Sequence, residues 1–281
     1  MKTHKTVQKI RIPRKTLDFV VKVLPVMSFI VFVSSSASAM EFKFEYFVDK
    51  SVAIRMEGEV KKGDSEKFRL FLLRNLDDYS TTTSRRVIVS SNGGDLVEAL
   101  KLASAIKRLY STVWIRGKCA SACFFLYLSA AHRWPTDDYS LGIHRAYFDP
   151  VYFAGLSLAN AEQKQKELTA LVNSVLDDNS VPKSIIELMN RTSSLEIHWL
   201  TKNEREQIEG RPAWYEELLI ARCGYDKALE NRFNATPYSS PNYEVLAEAY
   251  MGNLRKWANC EEAMVTAELK ALRLFLAKKS H

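Results

Sequence analysis

Glycine and proline are scarce in this chain, 10 and 8 among 281 residues. That scarcity excludes a disordered, collagenous or repeat-fibre protein. Internal repeats and low-complexity stretches are missing, and no second long hydrophobic run follows Met40. No Gly-x-Gly-x-x-Gly or phosphate loop follows a strand-like run. Cys119 and Cys123 with a distant histidine lack the paired spacing of a zinc site. Neither a cofactor nor a metal is therefore expected. A basic body is missing too, although the formal charge is +7. Residues 1–39 hold seven bases and one acid, Asp18, which leaves 33 bases against 32 acids for everything after them. Such a balance gives no electrostatic case for DNA or RNA.

What is present is globular: 47% apolar and 26% charged residues, enough for one large domain or two small ones. The N-terminus has the layout of a secretory signal, with a basic region and then an apolar run at 23–33. The small residues Ser34-Ser35-Ser36-Ala37-Ser38-Ala39 offer an A-x-A cleavage site before Met40. The run is about 11 residues, whereas a spanning helix needs roughly 20. Export of the mature chain is expected, periplasmic or extracellular, with membrane contact only through this segment if it stays uncleaved. An oxidising compartment would permit the four cysteines to pair.

The periodicity of the rest predicts strands and helices in alternation. Residues 52–60 alternate as a strand; Phe68, Phe71, Leu72 and Leu76 then recur at helical spacing. Val87-Ile88-Val89 reads as a strand buried on both faces and stops at Ser91-Asn92-Gly93-Gly94-Asp95. Leu96, Ala99, Leu100, Ala103 and Ile106 share a helical face, and 112–115 reads as another strand. Helices are expected at 161–176, at 182–189 and through 214–279, with breaks near Pro237 and Pro241. The expected fold class is α/β: a mostly parallel sheet with crossover helices over 40–210, then an all-α extension over 211–281.

Three segments carry possible chemistry. Gly93-Gly94 lets backbone N–H groups come close to a ligand at a strand-to-helix turn, although a tight turn alone would also use two glycines. Ser121 lies between small residues in Cys119-Ala120-Ser121-Ala122-Cys123, after a strand and before an apolar helix. A helix cap explains such a serine but not its small flanks. His144, in Gly142-Ile143-His144-Arg145, ends a short strand 23 residues further on and has the chemistry of a general base.

In this order the motifs resemble the Clp protease proteolytic subunit and its exported relatives in the crotonase-like superfamily, from about Ile54 to Gly210. Ser91-Asn92-Gly93-Gly94 looks like that family's Ser-Pro-Gly-Gly turn, with Asn92 in place of Pro. The segment from Gly117 to Ala122 looks like its nucleophile segment, and Ile143-His144 like its base segment. The resemblance implies Ser121 as nucleophile, His144 as base, and the N–H groups of Gly94 and Ala122 as oxyanion hole. It implies Glu196 as the orienting carboxylate; Asp177, Asp178 or a Ser–His dyad stay open. The implied function is an exported serine peptidase acting by acyl transfer on peptides or proteins, assembled as a homo-oligomer. A catalytically silent binding or assembly module, and an acyl-CoA enzyme of the wider superfamily, are the competing readings.

The cysteines divide by spacing. A bridge between Cys223 and Cys260 would close a loop of 37 positions and stabilise by about 3–4 kcal/mol in the chain-entropy model. Cys119 and Cys123, four apart, would sit about 6 Å apart on a helix with sulfurs that rarely align. The expectation is a structural Cys223–Cys260 disulfide, with Cys119 and Cys123 as reduced packing residues.

Overall fold

The computed structural model describes residues 39–48, 51–80, 85–134 and 138–278; the signal-like segment lies outside the described residues. Among these, seven strands and nine α-helices follow one another as β1 (Glu41–Tyr46), β2 (Val52–Glu57), α1 (Asp64–Ser80), β3 (Arg86–Ser91), α2 (Leu96–Lys107), β4 (Thr112–Ala120), α3 (Cys123–Leu128), β5 (His132–Arg133), β6 (Tyr139–Ile143), α4 (Leu158–Asp178), α5 (Lys183–Arg191), β7 (His198–Trp199), α6 (Lys202–Glu206), α7 (Ala213–Cys223), α8 (Lys227–Ala235) and α9 (Tyr243–Lys278). The sheet order is β1-β2-β3-β4-β6-β7, with β5 also on β4. β2, β3, β4, β5 and β6 run parallel, and the edge strands β1 and β7 antiparallel. The α/β class read from the alternating periodicity is the one found.

The middle of the sheet explains its own sequence. Val87, Ile88 and Val89 lie between β2 and β4 and are buried on both faces, so β-branched residues run without alternation. β1 alternates instead: Phe42 and Phe44 turn inward onto Phe68 and Phe71 of α1. α2 starts where Asp95 accepts the Glu98 N–H as N-cap. Glu98 itself is buried, and its carboxylate accepts the Gly63 and Ser65 N–H groups and the Ser65 hydroxyl. Those charge-assisted bonds hold its pKa low against the burial that opposes ionisation.

β4 is long enough to serve two neighbours, β5 at Thr112 and Val113 and β6 from Gly117 to Ala120. Between these, Val89 pairs with Ile115 while Ser91 pairs with Cys119, so β4 carries extra residues against β3. Gly117, at φ 73°, absorbs the irregularity. After residue 210 the structure is helical, but the core does not break there. Tyr215, Leu219, Val265 and Leu269 are buried in the same cluster as Val87 and Phe124. Arg85, beside β3, makes a bidentate pair with Glu262 of α9.

Candidate active site

Ends of three parallel strands meet at one place. Gly93 and Gly94 follow β3, Ser121 follows β4, and His144 follows β6. Carboxyl ends of parallel strands are where open α/β sheets place ligands. At the end of β4 the chain reverses sharply. Ser121 has φ 56°, the left-handed region, which costs a non-glycine residue roughly 1–2 kcal/mol. Its N–H donates to the Gly142 carbonyl at 3.0 Å and its own carbonyl accepts from the Phe124 N–H in the first turn of α3.

The glycine turn lies directly against this elbow. A Cβ on Gly93 would lie 2.6 Å from Ser121 Cβ and 2.8 Å from the Ala120 carbonyl, so glycine is required for the approach. A Cβ on Gly94 would lie 2.1 Å from the Val60 carbonyl. Val60 clamps the turn from the other side, donating to Gly93 O and accepting from Asp95 N. Ser91 Oγ accepts the Gly93 N–H inside the turn. Among the described residues, the Gly94 and Ala122 N–H groups donate to no backbone carbonyl. Both residues line a cavity of about 50 Å³ together with Ser121, His144, Phe125 and Met189.

His144 Nε2 lies 2.6 Å from Ser121 Oγ. Its Nδ1 lies 2.8 Å from the Arg145 carbonyl oxygen. A carbonyl only accepts, so Nδ1 carries the hydrogen and Nε2 turns a lone pair toward the serine hydroxyl. This pair can move a proton from Oγ to the imidazole. Arg145 N–H in turn donates to the Thr192 carbonyl, fixing the segment that holds the ring.

No family model matches the chain. No curated protein matches it. Among solved structures it is similar to ClpP1 from Listeria monocytogenes. That similarity has 17% identity and a TM-score of 0.37, covering 56% of this chain and 86% of the other. A point variant of the same ClpP1 is similar at 18% identity and a TM-score of 0.40, with the same coverage.

The structure brings together Ser121, His144, Gly94 and Ala122, and leaves out the expected carboxylates. Glu196 is exposed, and its backbone N–H donates to Ser193 O, while the two ring nitrogens of His144 meet Arg145 O and Ser121 Oγ. Asp178 faces Lys107 at 4.0 Å, and Asp177 is exposed on α4. The Arg145 carbonyl takes the position a carboxylate was expected to take. Sequence reasoning missed it because backbone carbonyls carry no residue signature. It also missed Tyr152, whose hydroxyl donates to both carboxylate oxygens of Asp95 at 2.9 and 2.7 Å and ties the segment after His144 to the glycine turn.

The cysteine expectation needs one correction. Cys223 and Cys260 are bridged, but so are Cys119 and Cys123. The expectation of reduced thiols assumed both residues on one helix. Cys119 instead belongs to β4 and Cys123 opens α3, and the reversal at Ser121 brings their Cα atoms to 5.2 Å. Two disulfides fit an oxidising compartment. Among the described residues no helix is long and apolar enough to cross a membrane, and no cluster of three metal-ligating side chains occurs.

Proposed function

We propose that the chain is an exported serine hydrolase that cleaves peptide bonds by acyl transfer, using Ser121 and His144 as a dyad. The observation that carries this reading is the 2.6 Å approach of His144 Nε2 to a serine hydroxyl raised on a left-handed turn. In the acylation step Ser121 Oγ attacks the scissile carbonyl carbon while its proton passes to Nε2. The carbonyl oxygen gains negative charge and takes hydrogen bonds from the Gly94 and Ala122 N–H groups, which have no other backbone acceptor among the described residues. The imidazolium then returns its proton to the leaving amine. Water, deprotonated by His144, hydrolyses the acyl-enzyme and restores Ser121.

The Arg145 carbonyl keeps His144 in the tautomer this cycle needs. It is a dipole where a triad has a full negative charge, so it stabilises the imidazolium less. Catalysis by the dyad is therefore slower than by a complete triad, although the orienting acid contributes least of the three. The motif order shared with the Clp protease proteolytic subunit favours peptides over other acyl substrates and favours a symmetric homo-oligomer. Two disulfides support residence outside a reducing cytosol.

The test is labelling with a fluorophosphonate probe, read by intact mass and peptide mapping. Wild type is expected to take up one equivalent at Ser121, and Ser121→Ala none, with peptide hydrolysis lost by at least about 10⁴-fold. A folded wild type that neither labels nor hydrolyses peptides would reject the enzyme reading in favour of a silent binding module.

A further inference from the structure

We propose that the Cys119–Cys123 disulfide is the positioning element for Ser121, so that the serine becomes reactive only after these two thiols are oxidised. The inference rests on the reading of Ser121 as nucleophile and adds a control on it.

The bond closes a ring of five residues whose middle member is Ser121. Four steps of extended chain would span about 13 Å, and four of regular helix about 6 Å. The observed Cα separation of 5.2 Å admits neither an extended segment nor sulfurs well aligned along one helix. A chain reversal is required, and it is supplied at Ser121 with φ 56°. Conformations of this kind persist only where their surroundings over-determine them. Hydrogen bonds hold Ser121 at both backbone ends, and the covalent link removes the alternatives.

Reduction would act on the site in one direction. Two unbonded sulfurs need roughly 3.5–4 Å between them instead of about 2 Å. Cys119 and Cys123 are each 0% exposed, so the added separation has no free space to enter. On the strand side the backbone is held, because Cys119 is paired with Ser91 of β3 and with Leu141 of β6. The displacement falls on Cys123 and the residues joined to it. These are Ala122, which lines the cavity, and Ser121, whose Oγ meets His144. A misplacement of about 1 Å at reacting atoms can cost about 100-fold in rate.

Forming the bond is thiol–disulfide exchange. One thiolate attacks an external disulfide, the second displaces the partner thiol from the mixed disulfide, and the oxidant leaves as a dithiol having taken two electrons and two protons. With both sulfurs buried, the exchange precedes closure of the elbow, and afterwards the bond is shielded from soluble reductants. A chain still in a reducing compartment would thus be latent.

The experiment compares wild type refolded with a glutathione redox pair, wild type refolded in dithiothreitol, the Cys119→Ala/Cys123→Ala variant, and the Cys223→Ala/Cys260→Ala variant as control. The readout is the second-order rate of fluorophosphonate labelling at Ser121, with kcat and KM on a peptide and circular dichroism to establish folding. The reduced wild type, whose thiols clash, and the elbow variant, in which no covalent link selects the reversal at Ser121, are each expected to label about 10- to 100-fold more slowly, through kcat with KM held within about threefold. The tail variant is expected to label at the wild-type rate. A folded elbow variant labelling as fast as oxidised wild type would overturn the proposal while leaving Ser121 as nucleophile. Failure of oxidised wild type to label at all would instead reject the nucleophile itself. Should the double variant not fold, Cys123→Ala alone replaces it, with the same two outcomes.

Discussion

One cystine of this chain closes five residues around a serine; the other joins α7 to α9 across 37 positions. The bond is the same and its physical effect differs. Across a long loop a disulfide mainly removes conformations from the unfolded chain, about 3–4 kcal/mol for Cys223–Cys260. Across four positions the same relation gives about 2 kcal/mol, and the stronger effect is on which native conformation the reversal adopts. On the proposed reading, the elbow bridge acts on reactivity and the tail bridge on stability. The comparison teaches that cysteine spacing predicts what a bridge does to folding, but its effect on chemistry depends on what lies inside the ring.

The largest effect should appear at the elbow. His144→Ala is expected to lower the peptidase rate about 100- to 10,000-fold while leaving the unfolding midpoint nearly unchanged, because the ring is only half-buried. A comparable loss of stability, measured by urea unfolding, would break the separation of the two regions. Next is the tail. Cys223→Ala/Cys260→Ala should lose about 3–4 kcal/mol in the same unfolding experiment, with fluorophosphonate labelling retained. Loss of labelling at temperatures where the variant stays folded would show that the tail reaches the site.

A smaller effect comes from acid. Burial, aided by the nearby Arg211 and Arg133 guanidinium groups, pushes His132 down to about 4 from an ordinary 6.5. The folded state thus favours the neutral ring, and the unfolded state binds the extra proton. Stability is full above about pH 6.5 and falls as pH drops toward 4, by about 2 kcal/mol after allowance for partial exposure. Urea unfolding between pH 7 and pH 4 should show a flatter acid limb in His132→Gln than in wild type. Equal slopes would remove His132 as the cause. The smallest effect is at Glu196. With the Arg145 carbonyl at Nδ1, Glu196→Gln should change kcat/KM by less than about twofold, since surface substitutions away from such contacts alter little. A tenfold fall would return the carboxylate to the site.

Much of this molecule is written in short-range pattern. The β-branched run at Val87-Ile88-Val89, the helical face from Leu96 to Ile106 and the turn between them follow from period and glycine chemistry, and with them the parallel α/β class. So does the nomination of Gly94, Ser121 and His144, because each stands where a strand ends; Ala122 was implied only by the family resemblance. Strand ends were legible, and parallel topology gathers them on one side.

Contacts that need three dimensions were decided elsewhere. Cys119 and Cys123 were judged by helical spacing, but one belongs to a strand and the other to a helix. Their distance is set by a single left-handed residue between them. The Nδ1 partner of His144 is a backbone carbonyl, which every residue possesses and no side chain announces. The tail reads as a separate run of helices, yet Val265 and Leu269 enter the common core and Glu262 reaches Arg85. Sequence alone determined the central strands and helices and the turns that end them, because periodicity and turn chemistry act over a few residues; the strands β1, β5 and β7 were not among them. Tertiary structure alone decided the bridge at the elbow, the partner of the histidine and the docking of the tail. Each depends on a distance between atoms that the chain brings together only by folding.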